Sequence, residues 1–187
     1  MTGSKVPCKN LLPKFTLVTG GARSGKSSFA EGLALAADRP KRYIATAQAW
    51  DDEMRARIAQ HQDQRGIDWL TVEAPLDLAG ALSHAQSDEI VLVDCATLWL
   101  SNHLLANANL EAEVTALLTA ISLCPAPVIA VTNEVGWSIV PDNALARAFR
   151  DAQGRLNQKM AAEAELVVAV IAGLPLLLKG VLPKAAE

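Results

Sequence analysis

Short apolar runs alternate with amphipathic segments along this chain, and the alternation predicts strands and helices in turn. The apolar runs are rich in Val and Ile, which indicates buried strands. The predicted strands cover residues 15–20, 42–47, 69–74, 89–95, 127–134 and 166–172. Because continuous apolar strands separated by helices are typical of a mainly parallel sheet with helices on both faces, we expect an α/β fold.

The intervening segments carry apolar residues at helical spacing and begin near residues that cap helices. The predicted helices cover residues 26–37, about 51–65, 95–105, 110–122 and 143–165. Asp51 or Asp52 caps the second of these, and Asn109 caps the fourth. The last helix is the longest, and its apolar stripe should face the core; the stripe consists of Leu145, Phe149, Leu156 and Met160.

The two ends of the chain suggest neither a membrane span nor a signal peptide. The longest apolar run, Leu166–Leu178, is interrupted by Gly173 and Pro175 and is too short to span a bilayer, so it is interpreted as buried strand. Residues 1–14 lack the apolar stretch of a signal peptide and are interpreted as a flexible leader. We therefore expect one domain over residues 15–187, in a soluble and cytoplasmic protein.

Composition narrows the class of protein further. Apolar residues make up 51% of the chain, which excludes disorder. Three cysteines without paired spacing exclude a disulfide scaffold and fit a reducing compartment. A net charge of −3 argues against a broad nucleic-acid-binding face.

One loop matches the phosphate-binding pattern G-x-x-x-x-G-K-[ST] in full, between a predicted strand and a predicted helix. Its members are Gly20, Gly21, Ala22, Arg23, Ser24, Gly25, Lys26 and Ser27. The glycines allow a tight turn whose N–H groups surround phosphate oxygens at the helix N-terminus. Lys26 is expected to reach the β- and γ-phosphates, and the Ser27 hydroxyl to coordinate Mg²⁺. The motif predicts a nucleoside-triphosphate enzyme and names no second substrate.

Two acidic residues end buried strands, where ligands of such folds bind. Asp94 follows IVLV and is expected to hold the metal through a bound water, or else to cap the next helix. Glu134 follows VIAVTN and could orient a hydroxyl nucleophile or anchor its loop. The sequence leaves both choices open.

A histidine lies on the apolar face of the predicted helix 51–65. His61 follows Met54 and Ile58 at i, i+4, i+7 spacing, so it points inward, as a core residue or as a nucleophile. An imidazole can attack phosphorus to form a phosphoramidate. Arg57 and Arg65 lie one turn to either side and could offset phosphate charge.

The other two histidines lack such a setting. We interpret His84 as a helix-end residue and His103 as helical or loop-facing. No Cys/His spacing suggests a zinc site.

Four runs together resemble the bifunctional adenosylcobinamide kinase / adenosylcobinamide-phosphate guanylyltransferase family of cobalamin biosynthesis. They are VTGGARSGKSSFAE, YIATAQAWDDEMRARIAQHQDQR, VDCATLWLSN and TNEVGWSIVPDNALARAFRDAQGRLNQ. Their order and spacing cover residues 15 to 180. The resemblance implies ATP- or GTP-dependent phosphorylation of adenosylcobinamide. GMP then passes from GTP to the phosphate, giving adenosylcobinamide-GDP and pyrophosphate.

The resemblance also implies roles for particular residues. His61, in R-I-x-x-H, matches the histidine that is guanylylated in the family. Gln48, Arg65 and Glu73 would lie near the guanine nucleotide, although ordinary surface polarity explains them as well. Asp94 matches a family acid. A homotrimer with sites between subunits and a P-loop fold related to RecA are implied too.

Some features fit the resemblance less firmly. Ser138 stands where the family commonly has Gly, and a turn requiring positive φ would be strained there. Trp50, Trp99 and Trp137 could line a corrinoid surface, but we favour core packing. Two alternatives remain: a small-molecule P-loop kinase without a covalent step, and a nucleotide-binding switch without transfer chemistry. Neither needs His61 on its helix face.

Overall fold

A computed structural model of the chain describes residues 12–48 and 69–183. The strands are β1 Phe15–Gly20, β2 Lys41–Ala45, β3 Trp69–Glu73, β4 Ile90–Asp94, β5 Val128–Asn133, β6 Leu166–Ile171 and β7 Leu174–Lys179. The helices are α1 Lys26–Leu35, α2 Leu78–Ser83, α3 Ala96–Leu105, α4 Leu110–Leu123 and α5 Ala144–Glu163. The predicted helix over residues 51–65, which carries His61, lies outside the described residues.

The strands form one seven-stranded sheet in the order β3-β2-β4-β5-β1-β6-β7. All neighbours are parallel except β6 and β7, which pair antiparallel. The strand β1 lies between β5 and β6, so the loop that follows it opens between their carboxyl ends. The predicted mainly parallel α/β sheet is therefore confirmed.

Helices cover both faces of the sheet. The side chains of successive strand residues point to opposite faces and pack in two separate cores. Leu17 packs with Trp99 and Leu156 on the face covered by α3, α4 and α5. Its neighbour Val18 packs with Ala30 of α1 on the opposite face. Both strand residues are almost completely buried, and each such side chain contributes about 1.5–3 kcal/mol of transfer free energy.

Local capping explains where several helices begin. Asn109 accepts a hydrogen bond from the Ala112 amide at 3.2 Å, which confirms it as the cap of α4. Asn143 caps α5 in the same way, at 2.7 Å from the Ala146 amide. The predicted boundaries differ from these elements by one or two residues at most ends.

The strand predicted over residues 166–172 is present as β6, but the interpretation of the whole run Leu166–Leu178 as buried strand is wrong. The segment is a hairpin in which β6 is mostly buried and every residue of β7 is exposed. The reversal occurs at Ala172 and Gly173, whose φ angles of 51° and 81° match a two-residue type I′ turn. Apolar composition misled the prediction because β7 is an edge strand whose apolar side chains stay uncovered in the isolated chain.

The apolar stripe of the last helix is only partly buried. Leu156 and Met160 are buried and Phe149 packs against the core, as predicted. Leu145 is 55% exposed, because it lies in the first turn of α5, next to an exposed loop. Within residues 12–48 and 69–183, no helix has the length and apolarity needed to cross a membrane.

Candidate active site

The loop after β1 has the tight geometry that its glycines predict. Gly25 has φ of 91° and Arg23 has φ of 56°, so the backbone turns through the left-handed region twice. A Cβ atom at Gly20 would lie 2.5 Å from the Val170 carbonyl oxygen and 2.6 Å from Ser24 Oγ. A side chain at Gly20 would therefore displace the loop from the neighbouring strand β6.

The N-terminus of α1 is open toward this loop. Its N-cap is Gly25, and no side chain caps the first turn by a hydrogen bond. The buried hydroxyl of Ser24 also has no hydrogen-bond partner in the described part of the chain. Exposed N–H groups at a helix N-terminus and an unpaired hydroxyl suit the oxygens of a bound phosphate.

Lys26 is folded back into the same loop. It is 9% exposed, and its Nζ donates a 3.0 Å hydrogen bond to the Gly21 carbonyl. Burial lowers the pKa of Lys26 below its ordinary value, while the nearby Cys95 and Asp94 partly oppose that shift. A phosphate group would supply the negative charge that the buried ammonium favours.

Asp94 lies at the carboxyl end of β4, between Ala45 of β2 and Val131 of β5. Its charge acts on Lys26, which places the strand-end acid beside the phosphate loop. The N-cap of α3 is Cys95, without a side-chain cap, so the alternative of Asp94 as a helix cap is wrong. Burial raises the pKa of the Cys95 thiol to about 11, which makes it a poor nucleophile.

The donor set suits a magnesium ion carried by a nucleotide. Ser27 offers a hydroxyl in the first turn of α1, and Asp94 offers a carboxylate beside the loop. Mg²⁺ in nucleotide sites is held by a few protein oxygens together with phosphate and water. Residues 12–48 and 69–183 contain no group of three or more His, Cys, Asp or Glu that could hold a metal ion.

The β6–β7 hairpin supports the phosphate loop, a role that sequence reasoning missed. The Gly173 amide donates a 2.9 Å hydrogen bond to the Ser24 carbonyl. A Cβ at Gly25 would lie 3.3 Å from the Gly173 Cα atom. The available signal was Ala172-Gly173 followed by Leu-Pro, a turn pattern that we absorbed into one apolar run.

A buried polar network also went unpredicted. Thr132 donates a 2.7 Å hydrogen bond to Asn157 Oδ1 and accepts one of 2.9 Å from Gln153. Asn157 in turn donates to the Asn133 carbonyl at 3.1 Å, and the Asn133 amide donates to Thr97 Oγ1 at 2.7 Å. The network thus fixes the carboxyl end of β5 to α3 and α5.

Glu134 follows that fixed strand end and anchors its own loop. Its amide donates to the Gly20 carbonyl at 3.0 Å, and its Oε1 accepts the Gly136 amide at 3.0 Å. The anchoring alternative for Glu134 therefore has direct support. Ser138 does not adopt a positive φ, so the expected strain at that position is wrong.

The remaining predicted positions divide into three groups. Gln48 and Glu73 lie at or just beyond the carboxyl ends of the neighbouring strands β2 and β3, half-buried and exposed respectively. Trp99 packs in the core as predicted, whereas Trp137 is 82% exposed, because its loop lies outside the core. The third group, outside the described residues, consists of Trp50, Arg57, His61 and Arg65.

The other histidines lie where the sequence indicated. His84 is the C-cap of α2 and is exposed. His103 belongs to α3, is buried, and lies 3.2 Å from the Leu76 carbonyl. Neither histidine lies among the residues of the phosphate loop.

A parallel sheet with this phosphate loop after β1 and an acid at a neighbouring strand end defines a P-loop nucleotide-binding protein. Among solved structures, the RadB recombinase aligns over 84% of this chain and 74% of its own, with 19% identity and a TM-score of 0.51. An ATPase of a bacterial type III secretion system aligns over 87% of this chain and 56% of its own, with 10% identity and a TM-score of 0.51. These similarities show the fold alone.

The chain belongs to the cobinamide kinase / cobinamide phosphate guanyltransferase family, whose model matches residues 16–178. It is 47% identical to the bifunctional adenosylcobalamin biosynthesis protein CobP of Pseudomonas aeruginosa, over 88% of this chain and 96% of the relative. It is 43% identical to the protein CobU of Salmonella typhimurium, over 87% of this chain and 98% of the relative. The family is that of a kinase and nucleotidyltransferase, which confirms the predicted resemblance and the enzyme class.

Proposed function

We propose that this protein phosphorylates the aminopropanol hydroxyl of adenosylcobinamide with ATP or GTP and then transfers GMP from GTP to the new phosphate. The observation that carries the proposal is the phosphate loop with buried Lys26 in a chain of this family. The products of the second reaction are adenosylcobinamide-GDP and pyrophosphate. The covalent route through His61 rests on the R-I-x-x-H run.

In the kinase step, the loop holds the triphosphate and Lys26 offsets the charge that develops on the transferred group. The hydroxyl oxygen of the corrinoid substrate attacks the γ-phosphorus, the bond to the β-phosphate oxygen breaks, and the nucleoside diphosphate leaves. Gly20 and Gly25 support this role, because a Cβ atom at either position would press on Val170 or Gly173 and disturb the loop whose N–H groups face the phosphates. Ser27, and Asp94 through a water, would hold a Mg²⁺ ion, which would supply charge neutralisation at the phosphates.

In the guanylyl step, neutral His61 attacks the α-phosphorus of GTP, and the bond to the β-phosphate oxygen breaks to release pyrophosphate. A phosphate oxygen of the corrinoid then attacks the same phosphorus, and the nitrogen–phosphorus bond breaks to regenerate His61. Because the imidazole must be neutral to attack, this step slows as pH falls through the pKa of the histidine.

Positions at neighbouring strand ends support the proposed guanine-nucleotide contacts. Ala45 at the end of β2 is paired in register with Glu73 at the end of β3, and Gln48 follows Ala45 by three residues. Gln48 and Glu73 therefore both lie at the carboxyl ends of the strands. Asp94 is paired with the same Ala45, which extends this row of strand ends toward Lys26. On that basis we place Gln48 and Glu73 near the bound nucleotide, and Arg65 is added by the family resemblance alone.

We also propose that the enzyme works in the cytoplasm as a homotrimer whose copies meet at β7. The exposed apolar side chains of this edge strand support that surface; they include Leu174, Leu176, Leu177 and Leu178. Edge strands that face solvent usually carry charged residues, prolines or other blocking features, and β7 has one proline, Pro175, and one charge, Lys179 at its end. A partner subunit would remove this apolar surface from water.

Isotope exchange tests the two-step guanylyl transfer. With labelled pyrophosphate, GTP and no corrinoid, the wild-type protein should return label to GTP, because the first half-reaction is reversible. His61→Ala should abolish the exchange, whereas His84→Ala, which removes an exposed histidine, should retain it. A wild-type protein that turns over the corrinoid without any exchange contradicts the covalent route.

A further inference from the structure

The loop between β5 and α5 exposes a group of apolar side chains that the described part of the chain leaves uncovered. Four of them define the loop patch: Trp137, Ile139, Val140 and Leu145, exposed by 82%, 94%, 62% and 55%. Isolated apolar residues on a surface are ordinary, but three of these residues fall within four consecutive positions, and such clustering is typical of a contact with another molecule.

The backbone beneath the patch is fixed, so the side chains are held outward. Gly136 at the start of the loop is tied to Glu134, and Asn143 caps the helix at its end. The Arg147 guanidinium donates to the Pro141 carbonyl at 2.8 Å and to the Asp142 carbonyl at 2.7 Å. A preorganised surface loses little conformational entropy when a ligand covers it.

The patch also lies beside the phosphate loop. The Glu134 amide bonds to the Gly20 carbonyl at 3.0 Å, and β5 is the direct neighbour of β1. Trp137 follows Glu134 by three residues, so their Cα atoms are at most about 11 Å apart. A molecule on the patch could therefore present a reacting group at the phosphates.

The size of the patch favours a small-molecule ligand over another copy of the chain. The four side chains together expose less than the roughly 800 Å² per partner of a standard protein interface. The longer apolar edge at β7 is the better candidate for contacts between copies.

We infer that the loop patch binds the corrin ring of adenosylcobinamide and directs its aminopropanol arm toward the P-loop. This inference rests on the proposed function, and it assigns the corrinoid subsite that the phosphate loop does not supply. A corrin is a broad, rigid ring edged with methyl and amide groups. An indole ring beside aliphatic side chains gives it a large contact area with few rotatable bonds.

Truncation of the patch should weaken corrinoid binding selectively. Trp137→Ala should raise the KM for adenosylcobinamide about tenfold or more, because loss of a central aromatic contact commonly has that effect. The KM for GTP in the same variant is the internal reference and should change far less. Trp137→Phe should restore most of the corrinoid affinity.

A matched control uses Leu123, which is 76% exposed at the end of α4. It precedes β5 and so lies near the amino ends of the strands, away from the phosphate loop at their carboxyl ends. Leu123→Ala removes a similarly exposed apolar side chain and should leave the corrinoid KM at the wild-type value. Sedimentation of each variant records whether its assembly has changed.

Fluorescence gives a second readout that does not depend on turnover. Corrinoids absorb at the wavelengths where tryptophan emits, so a ring on the patch should quench Trp137. The quenched component should be missing in Trp137→Phe, although that variant still binds. An unchanged corrinoid KM in Trp137→Ala, or a loss that follows subunit dissociation, overturns the inference. Absence of corrinoid-dependent turnover in the wild-type protein would instead overturn the proposed function.

Discussion

The amide of Gly173 donates a 2.9 Å hydrogen bond to the carbonyl of Ser24, and this contact joins the β6–β7 turn to the phosphate loop. Both turn residues have positive φ, and one of them is an alanine. The C-terminal hairpin is thus part of the nucleotide site as well as an edge of the sheet.

Substitutions in this turn should separate stability from nucleotide binding. Ala172→Asn creates the Asn-Gly pair that type I′ turns favour and should raise the free energy of unfolding by about 1 kcal/mol. Gly173→Val forces a branched side chain to positive φ and should lower it by about 1–2 kcal/mol. It should also raise the KM for nucleotide. Urea unfolding and steady-state kinetics provide the two readouts, and a Gly173→Val protein equal to wild type in both would refute the role of the turn.

Removal of the buried ammonium should abolish both activities together. Lys26→Ala should lower kcat/KM at least about a hundredfold for the kinase and guanylyl reactions. Lys159→Ala removes the same charge from the exposed face of α5 and serves as the control. Loss of only one activity would mean that the two reactions use different phosphate sites.

We also expect nucleotide binding to depend on pH through Lys26. Because burial lowers its pKa, Lys26 loses its proton below the ordinary value of 10.5 when no phosphate is bound. Nucleotide affinity should therefore fall as alkaline pH passes through this lowered pKa, and binding should be accompanied by proton uptake there. Calorimetry in buffers of different ionisation enthalpy measures that uptake, and a binding heat independent of the buffer would exclude it.

The buried ion pair of Arg42 with Glu89 should affect stability without contacting the site. Arg42 binds Glu89 with two hydrogen bonds, of 2.9 and 3.1 Å. Burial alone would raise the pKa of Glu89, but the hydrogen bonds from Arg42 and the Gln86 amide hold it below its ordinary value. Glu89→Gln leaves the guanidinium buried without its partner and should lower the free energy of unfolding by about 3–5 kcal/mol.

Because the pKa of Glu89 is lowered in the folded protein, the direction in which pH changes the free energy of unfolding can be predicted. The stabilisation from Glu89 is fully present above its ordinary value of 4.5 and is lost as pH falls through the lower pKa of the folded protein. The exposed pair Arg150–Asp151, at 3.1 Å, provides the control. Asp151→Asn should change stability by less than about 1 kcal/mol. Equal losses at the two pairs would contradict the argument.

Charge on β7 should interrupt the proposed assembly. Leu176→Lys combined with Leu178→Lys places two charges on the exposed apolar edge and should shift the sedimenting species toward the monomer. Leu123→Lys is the matched substitution at an exposed leucine elsewhere. A double variant that sediments as the wild-type oligomer would exclude β7 as the interface.

Much of the fold and part of the site were predictable because local patterns determine them. The strands alternate between two cores, as Leu17 and Val18 show, and caps such as Asn109 act within one turn. The phosphate loop was predictable because its glycines are required by backbone geometry in one contiguous segment.

The unpredicted features depend on contacts between residues distant in the chain. Gly173 and Ser24 form a hydrogen bond although they lie far apart in the sequence. Thr132 and Asn157 form theirs only because β5 packs near α5. The exposure of β7 and of Trp137 was also missed, because apolar residues were assumed to be buried. Whether an apolar residue of an edge strand or a loop is covered depends on distant packing, which a local sequence pattern does not specify.

The central claim is that GMP passes through His61, and mass mapping after incubation with GTP tests it most directly. Cleavage after Arg57 and Arg65 releases a peptide, IAQHQDQR, whose only histidine is His61. The sample must stay at neutral or alkaline pH, since a phosphoramidate is labile in acid. We predict that this peptide gains one GMP in the wild-type protein and none in His61→Ala. GMP on any other peptide, or corrinoid-dependent guanylyl transfer without an adduct, would contradict the account.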